Sequence, residues 1–237
     1  MKKLFVLLFF CSITAQAQLS SYRYKQALEN LNQSGWHSLT LPITIFDRME
    51  SYNDLRIYGI SVTDTIEVPY MMADTLVATQ TITHFAVKND KASKHTIIDV
   101  KLPEILLLGK VAVQPAATYD YYRSVKILQN ETTDDTYLSN VVKGVLDSKG
   151  NNTYTFSSQL FKHLQIDIDN QDNTPLAISE ITLFPITYKL TARFPDTAHH
   201  YFLVYGKAND IAPQYDITHF VKHIPKQLPS IHYNETV

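Results

Sequence analysis

Hydrophobic and polar residues alternate with a period of two along most of the chain, which is the pattern of β-strands that bury one face. The clearest case is 163–169, where Leu164, Ile166 and Ile168 are expected to face a core. The polar residues between them, including His163, are expected to face water. Similar runs predict further strands at 22–25, 55–60, 65–70, 96–102, 124–128, 178–184, 188–194 and 201–205.

Helical periodicity is confined to two short stretches, 43–49 and 137–145, each of which could form a helical turn. Turn-forming residues separate the predicted strands. Pro103 is expected to end the strand over 96–102, and Gly206 is expected to form a turn with positive φ. Many short strands with turn signals between them predict an all-β fold, either a β-sandwich or a jelly roll.

The first 17 residues have the layout of a secretory signal peptide. Two lysines precede the apolar residues 4–10, and Ala15 and Ala17 provide the small side chains that a signal peptidase requires. The only cysteine, Cys11, belongs to this leader, so the mature chain is expected to have no disulfide. A chain of this kind fits the periplasm or the cell surface of a bacterium.

Without the two leader lysines the chain has 19 basic and 23 acidic side chains, a net charge of −4. This balance argues against a general nucleic-acid binder, because contacts with phosphates require a basic surface. No stretch after residue 17 reaches the roughly 20 consecutive apolar residues that span a bilayer, so no transmembrane helix is expected in the mature chain.

Four segments, 96–102, 122–128, 161–166 and 175–181, carry aromatic, charged and alternating apolar residues in a set order. Together they resemble strands of a discoidin-type, galactose-binding-like jelly roll. That family usually has a Ser-x-Asp-Gly turn followed by tryptophan, and this chain has 130–135 instead. The resemblance therefore implies the fold of this region and does not carry over a ligand site.

A second set of motifs spans nearly the whole mature chain: 41–42, 54–58, 68–70, 201–206 and 213–216. This set is similar to an uncharacterised bacterial envelope family, domain of unknown function 3999, whose members usually carry a C-terminal membrane helix. The resemblance implies an envelope protein with no established activity. Since no such helix is found in the sequence, we expect either a soluble variant or a truncated form of an anchored protein.

The expected organisation has four parts. Residues 1–17 are the signal peptide, 18–90 an N-terminal β-sandwich portion, and 91–185 the galactose-binding-like jelly roll. Residues 186–237 form a C-terminal β portion that could pair with 18–90 to complete a second sandwich.

Tyrosine is the abundant residue type with binding chemistry, with 15 in the chain. Its rings can stack on sugar faces, while charged neighbours hold hydroxyl groups. Tyrosine is also simply a good strand residue, which is the alternative interpretation. The predicted ligand-binding residues are Asp120, Tyr122, Arg123, Asn130, Asp134 and Asp135.

No metal site or cofactor is predicted. Asp167, Asp169 and Asp172 invite a structural calcium site, but their spacing does not match an EF-hand loop. A looser calcium site stays open as an alternative. If the protein is a glycosidase, Glu104 and Glu180 are the candidates for its two catalytic carboxylates.

The sequence as a whole favours a non-catalytic, exported cell-envelope protein that binds a glycan or a partner protein. One alternative is a structural or assembly subunit of an envelope complex, in which the same surfaces contact protein and no sugar. A second alternative is an enzyme that acts on polysaccharide.

Overall fold

The computed structural model describes residues 19–132 and 137–233. Strands dominate this part of the chain, and the predicted all-β fold class is confirmed. In chain order the elements are β1 (Tyr24–Glu29), β2 (Gly35–Thr40), α1 (Ile43–Arg48), β3 (Arg56–Ile60), β4 (Thr65–Glu67), β5 (Tyr70–Leu76), β6 (Gln80–Ile82), β7 (Ala86–Asp90), β8 (His95–Pro115), β9 (Tyr122–Asn130), β10 (Ser139–Asp147), β11 (Thr153–Asp169), β12 (Ile178–Phe194), β13 (His200–Tyr205), a 3₁₀ helix (Asp216–His223) and β14 (Ser230–Tyr233).

The chain forms two compact units. Of the described residues, the first contains those up to Asp74 and those from Tyr188 onward, and the second contains those within Thr75–Thr187. The domain limits predicted from the sequence, at 90 and 185, stay predictions that the folding of separate fragments would decide. Among the described residues no helix has the length and apolar character needed to cross a lipid bilayer.

The first unit has the strand order β12–β2–β14–β1–β13–β3–β4. Its neighbours pair antiparallel, except β14 and β2, which run parallel. Alternation in β13 places Tyr201, Leu203 and Tyr205 in the core, and Gly206 then turns the chain with φ +81° as predicted. The other residues of this core cluster are Leu39, Leu41, Ile45, Leu55, Ile57, Val68, Tyr70, Leu190, Ala192, Phe194 and Ile231.

The second unit is organised around β8, which has 21 residues. One edge of β8 pairs with β11, while its other edge pairs first with β7 and later with β12. Beyond β11 the ladder continues to β9 and then β10, and β6 pairs with β12.

The period-two pattern explains the core of this unit. Leu164, Ile166 and Ile168 in β11 are fully buried, as predicted, together with Val125 and Ile127 in β9. Full burial of each such side chain stabilises the fold by roughly 1.5–3 kcal/mol.

Pro103 does not end its strand, contrary to the prediction, because β8 continues to Pro115. Residues 102–105 lie opposite Lys162 alone, at a bulge between two regularly paired stretches. Lys162 Nζ donates a hydrogen bond to the Pro103 carbonyl over 2.6 Å. A bulge does not require an amide proton from every residue, so the proline is tolerated and the strand goes on.

The strands predicted at 178–184 and 188–194 are one strand, β12, for the same reason. Pro185 lies where the register with β8 shifts, between the pairs formed by Leu183 and Pro185. The Pro185 carbonyl accepts a hydrogen bond from the amide of Val77 at 2.9 Å. Proline at an irregular ladder position thus interrupts the sequence pattern without interrupting the strand.

The helical turn predicted at 43–49 is confirmed as α1, whereas the turn predicted at 137–145 is wrong. This second segment lies in β10, which pairs antiparallel with β9. Its β-branched Val141, Val142 and Val145 favour the pleated conformation, and pairing along β9 outweighs the short helical pattern.

The prediction that His163 faces water is also wrong, since its side chain is fully buried. Its Nε2 lies 3.1 Å from Asp99 Oδ1, and Gln165 Nε2 donates to the same oxygen at 2.9 Å. β11 lies between β8 and β9, so polar side chains of neighbouring strands cover this part of its outer face.

Candidate functional site

A cavity of about 480 Å³ opens at one end of the second unit. Three chain segments form it: the approach to β9, the turn between β10 and β11, and the turn after β11. We call it the tyrosine cavity. Its lining residues are Tyr119, Asp120, Tyr121, Tyr122, Arg123, Asp147, Ser148, Lys149, Asn173 and Thr174.

The turn between β10 and β11 is fixed by its own side chains. Asp147 Oδ1 accepts a hydrogen bond from the Lys149 amide at 2.9 Å, and Asn152 Oδ1 accepts one from the Asp147 amide at 2.8 Å. Asn152 has φ +46°, a left-handed conformation that asparagine adopts more readily than most residues. These bonds hold Ser148 and Lys149 at the cavity rim.

Tyr121 anchors the segment before β9 to this turn. The ring of Tyr121 is 8% exposed, its carbonyl accepts from the Ser148 amide at 3.1 Å, and its hydroxyl accepts from Asn152 Nδ2 at 3.3 Å. Because this turn binds both the carbonyl and the hydroxyl of Tyr121, the residues around Tyr121 have a defined position at the cavity.

The two outer tyrosines have a different role. Tyr119 is 51% exposed and Tyr122 is 64% exposed, so both present ring surface to solvent. Such amphipathic rings provide contact area at low conformational cost, with a hydroxyl group at the tip. They can stack on the apolar face of a ring-shaped ligand.

Asp120 and Lys149 form an ion pair at the rim, with 2.8 Å between Oδ1 and Nζ. Hydrogen bonds from Lys149 and then Ser148 lower the pKa of the Asp120 carboxyl, so it is ionised at neutral pH. Both side chains are more than three-quarters exposed, and ion pairs of this kind contribute little to stability. These polar groups can therefore turn to a ligand at little cost.

Arg123 approaches the cavity from the core side. It is 7% exposed, and its Nη1 donates to the Tyr122 carbonyl at 3.0 Å. Its buried Nε has no hydrogen-bond partner among residues 19–132 and 137–233. A buried donor that lacks a partner is unfavourable, so an acceptor oxygen that reached it would be stabilised.

The structure brings three of the predicted site residues together, namely Asp120, Tyr122 and Arg123. Asn130 lies at the opposite end of β9, roughly 26 Å from Tyr122 at 3.3 Å per residue, and does not join them. Asp134 and Asp135 lie outside the described residues, as does the predicted signal peptide, residues 1–17.

Five cavity residues were missed by sequence reasoning: Ser148, Lys149, Asp147, Asn173 and Thr174. The first two belong to a turn-like run, 148–152, between two strands. That run predicts a turn, and only the β9–β10 ladder shows that it meets the start of β9.

The three aspartates considered for a calcium site each bind different partners. Asp167 is paired with His95 and Lys126, whereas Asp172 is paired with Lys94. Asp169 Oδ1 accepts the Gln171 amide at 2.9 Å. Within the described ranges no group of three or more histidine, cysteine or acidic side chains is arranged to hold a metal ion.

Glu104 and Glu180 do not form a glycosidase pair. Glu180 lies opposite Gln114 in the ladder, ten positions along β8 from Glu104. That separation is about 30 Å along an extended strand, far above the roughly 5–10 Å between the catalytic carboxylates of a glycosidase.

Comparisons with known proteins give only distant likenesses. No protein-family model matches this chain, and no curated protein matches it. One similar solved structure is the CBM32 of AlyQ in complex with 4,5-unsaturated mannuronic acid, with 11% identity, a TM-score of 0.31, and coverage of 55% of this chain and 96% of that one.

A second is the structure of the CBM32-1, CBM32-2 and M60 catalytic domains from Clostridium perfringens ZmpB. It has 9% identity and a TM-score of 0.32, and the match covers 63% of this chain and 17% of that one. TM-scores this low carry no argument about a ligand. The similarity to the uncharacterised envelope family has no family model behind it and stays an expectation.

Proposed function

We propose that this chain is a non-catalytic, exported protein of the bacterial cell envelope that binds a glycan in the tyrosine cavity. The observation that carries the proposal is the exposure of the Tyr119 and Tyr122 rings beside polar groups of both charges. A binding site for a small ligand combines apolar or aromatic surface with a few placed polar groups.

Each part of the cavity has a counterpart in a sugar. The two exposed rings can stack on a face made of C–H groups. Asp120 and Lys149 can accept from and donate to hydroxyl groups, and Asn173 can do both. Arg123 Nε has no partner within the described part of the chain and can donate to a ligand oxygen that enters deeply.

The test is isothermal titration calorimetry of the full chain with a panel of soluble oligosaccharides prepared from bacterial envelopes. We expect saturable binding to at least one of them, and a loss of roughly tenfold in affinity, about 1.4 kcal/mol, in Tyr122→Ala. The matched control is Tyr137→Ala, which removes a ring that is 82% exposed and lies outside the cavity.

Three results would contradict the proposal in different ways. Flat titrations across the whole panel would favour an assembly subunit that contacts protein, a role that co-purification with an envelope protein would support. Equal weakening by Tyr122→Ala and Tyr137→Ala would move the binding away from the cavity. Turnover of any oligosaccharide would favour the alternative function, an enzyme that acts on polysaccharide.

A further inference from the structure

A larger cavity, of about 710 Å³, lies in the first unit. Its lining includes Trp36, Arg193, Gln214, Tyr215, Phe220 and His223. We call it the tryptophan cavity, since Trp36 is the only tryptophan of the chain. Its volume lies within the ~300–1,000 Å³ that is usual for sites that bind small ligands.

The ladder between β2 and β12 creates the central feature of this cavity. Trp36 lies directly opposite Arg193 in antiparallel register. Residues in such a pair point to the same face, with Cβ atoms about 5 Å apart. Ala192 and Phe194 are buried on the other face of β12, so Trp36 and Arg193 emerge together on the outer face.

The segment after β13 supplies the opposing wall. The Tyr215 hydroxyl donates to Glu67 Oε1, and its ring packs edge-on against Tyr70 with 5.4 Å between centroids. Phe220, in the 3₁₀ helix, is 51% exposed, and His223 stacks on it at 6.1 Å between centroids. The wall is therefore aromatic, and Tyr215 holds one end of it in place.

Arg193 is the free cation of this arrangement. It is exposed and makes no ion pair or hydrogen bond with any other residue in the described ranges. A guanidinium forms two parallel hydrogen bonds with a carboxylate. The adjacent indole ring of Trp36 favours a ligand that has a flat apolar face beside that carboxylate. No side chain in the described part of the first unit thus competes with a ligand for Arg193.

The remaining polar residues narrow the ligand class. Asp216 also lines the cavity, and Gln214 lies beside it. A sugar unit that carried two or more negative charges of its own would bring one of them close to the Asp216 carboxylate and be repelled. A sugar unit with one carboxylate and several hydroxyl groups could pair with Arg193 and donate hydrogen bonds to Asp216 and Gln214.

We propose that the tryptophan cavity binds a saccharide unit with one carboxylate, a uronic acid, whose carboxylate pairs with Arg193 and whose ring faces contact Trp36 and Phe220. This site is additional to the tyrosine cavity and lies in the other unit. The two cavities can therefore be tested separately.

The single tryptophan makes the test specific, because intrinsic tryptophan fluorescence reports on this cavity alone. The full chain is titrated with the trimer of galacturonic acid and, in parallel, with maltotriose, which is uncharged. We expect a saturable change in Trp36 fluorescence with the acidic trimer and an apparent affinity at least tenfold lower for maltotriose.

Two variants locate the binding. Arg193→Gln should lower the affinity for the acidic trimer at least tenfold, and Arg193→Lys should lower that affinity less because the positive charge remains. Arg193 is exposed, so neither change should disturb the fold, which a circular dichroism spectrum would verify. Tyr122→Ala should leave the fluorescence titration unchanged, since it lies in the other cavity.

The outcomes separate the two proposals. No fluorescence change at millimolar acidic trimer overturns this inference, even if calorimetry detects heat, because the binding then lies elsewhere. An equal response to maltotriose, or an unchanged affinity in Arg193→Gln, overturns the assigned role of the carboxylate. A fluorescence change that survives Tyr122→Ala supports the inference even if the tyrosine cavity proves to bind nothing.

Discussion

Replacing Arg56 by methionine tests whether one buried guanidinium holds the first unit together. The side chain of Arg56 is 8% exposed. Its Nη1 donates to the carbonyls of Asn53 and Leu55 at 2.6 and 2.7 Å, and its Nη2 donates to the carbonyl of Ile211 at 2.5 Å. The guanidinium thus joins the start of β3 to a segment that follows β13.

Two acids complete the cluster. Arg56 lies 3.2 Å from Asp210 Oδ2 and 3.4 Å from Glu67 Oε1. The Asp210 side chain is 10% exposed and also receives hydrogen bonds from Lys207 at 3.0 Å and Tyr22 at 2.9 Å. Methionine has a similar length, so the variant removes the charge and the donors while it largely keeps the volume.

The expected loss follows from these contacts. Removing one partner of a buried ion pair usually costs about 3–5 kcal/mol, because the other charge stays buried. Asp210 keeps Lys207 and Tyr22, which places the estimate at the lower end, about 3 kcal/mol. Since a domain is stable by only about 5–15 kcal/mol, the first unit should remain folded with a much smaller margin.

The assay is urea denaturation followed by Trp36 fluorescence, which reports on the first unit. With a slope of roughly 2 kcal/mol per molar urea, the midpoint should fall by about 1.5 M. The matched control is Arg23→Met. Arg23 pairs with Glu50 at 3.7 Å, but its side chain is 65% exposed, so its midpoint should hardly move. Similar midpoints for the two variants would refute the reasoning.

The pH dependence provides a second check. Burial pulls the pKa of Asp210 upward, but hydrogen bonds from Lys207 and Tyr22 and the charge of Arg56 hold it below its usual value. The contribution of Asp210 is therefore present at neutral pH and is lost as the pH falls through the lowered pKa. The difference in urea midpoint between wild type and Arg56→Met should narrow on acidification, because the Asp210 carboxylate that the variant leaves without Arg56 then becomes protonated. A constant gap would contradict the role given to Asp210.

Two further predictions concern stability. Gly144→Ala should destabilise the second unit by about 1–3 kcal/mol, because a Cβ there would lie 2.6 Å from the buried ring of Tyr154. The control is Gly109→Ala, whose Cβ would have its nearest contact at 3.8 Å. Equal melting temperatures of the two variants in a thermal melt would contradict the packing argument. The pKa of His199 is raised, chiefly by its hydrogen bond with Asp196, so its contribution is full below the unfolded pKa of about 6.5 and is lost as the pH rises through the folded value. The urea midpoint of wild type should therefore fall relative to His199→Gln between about pH 6 and 8, and parallel midpoints would argue against this.

Local alternation predicted the strands that have regular neighbours on both sides. Leu164, Ile166 and Ile168 are buried because β11 pairs with β8 and β9 along this stretch, so one face can only meet the core. The errors occur where the ladder is irregular. Pro103 is predicted to end a strand, and the strand predicted at 178–184 stops just before Pro185. Both prolines lie at register shifts, which depend on the partner strand.

The sequence pattern also does not predict how deeply a residue on the polar face of a strand is buried. The pattern assigns His163 to water, and whether it stays there depends on the side chains of the adjoining strands. Asp99 Oδ1 lies within hydrogen-bond distance of its Nε2, and Gln165 Nε2 donates to the same Asp99 oxygen, so a polar residue on the polar face of the strand is fully buried. Alternation therefore predicts which face of a strand is polar, and the flanking strands decide how much of that face water reaches.

The two cavities show why sequence proximity is an uneven guide to a site. Tyr122 and Arg123 were grouped because they are adjacent, yet adjacent strand residues point to opposite faces, and one is 64% exposed while the other is 7% exposed. Trp36 and Arg193 are far apart in the chain and escaped notice, yet their antiparallel pairing sets both on one face. Cross-strand partners share a face by geometry, so a site on a β-sheet can be built from residues that are distant in sequence. In the tryptophan cavity this pairing places Arg193, which has no ion-pair partner among the residues that the structure describes, directly beside the ring of Trp36.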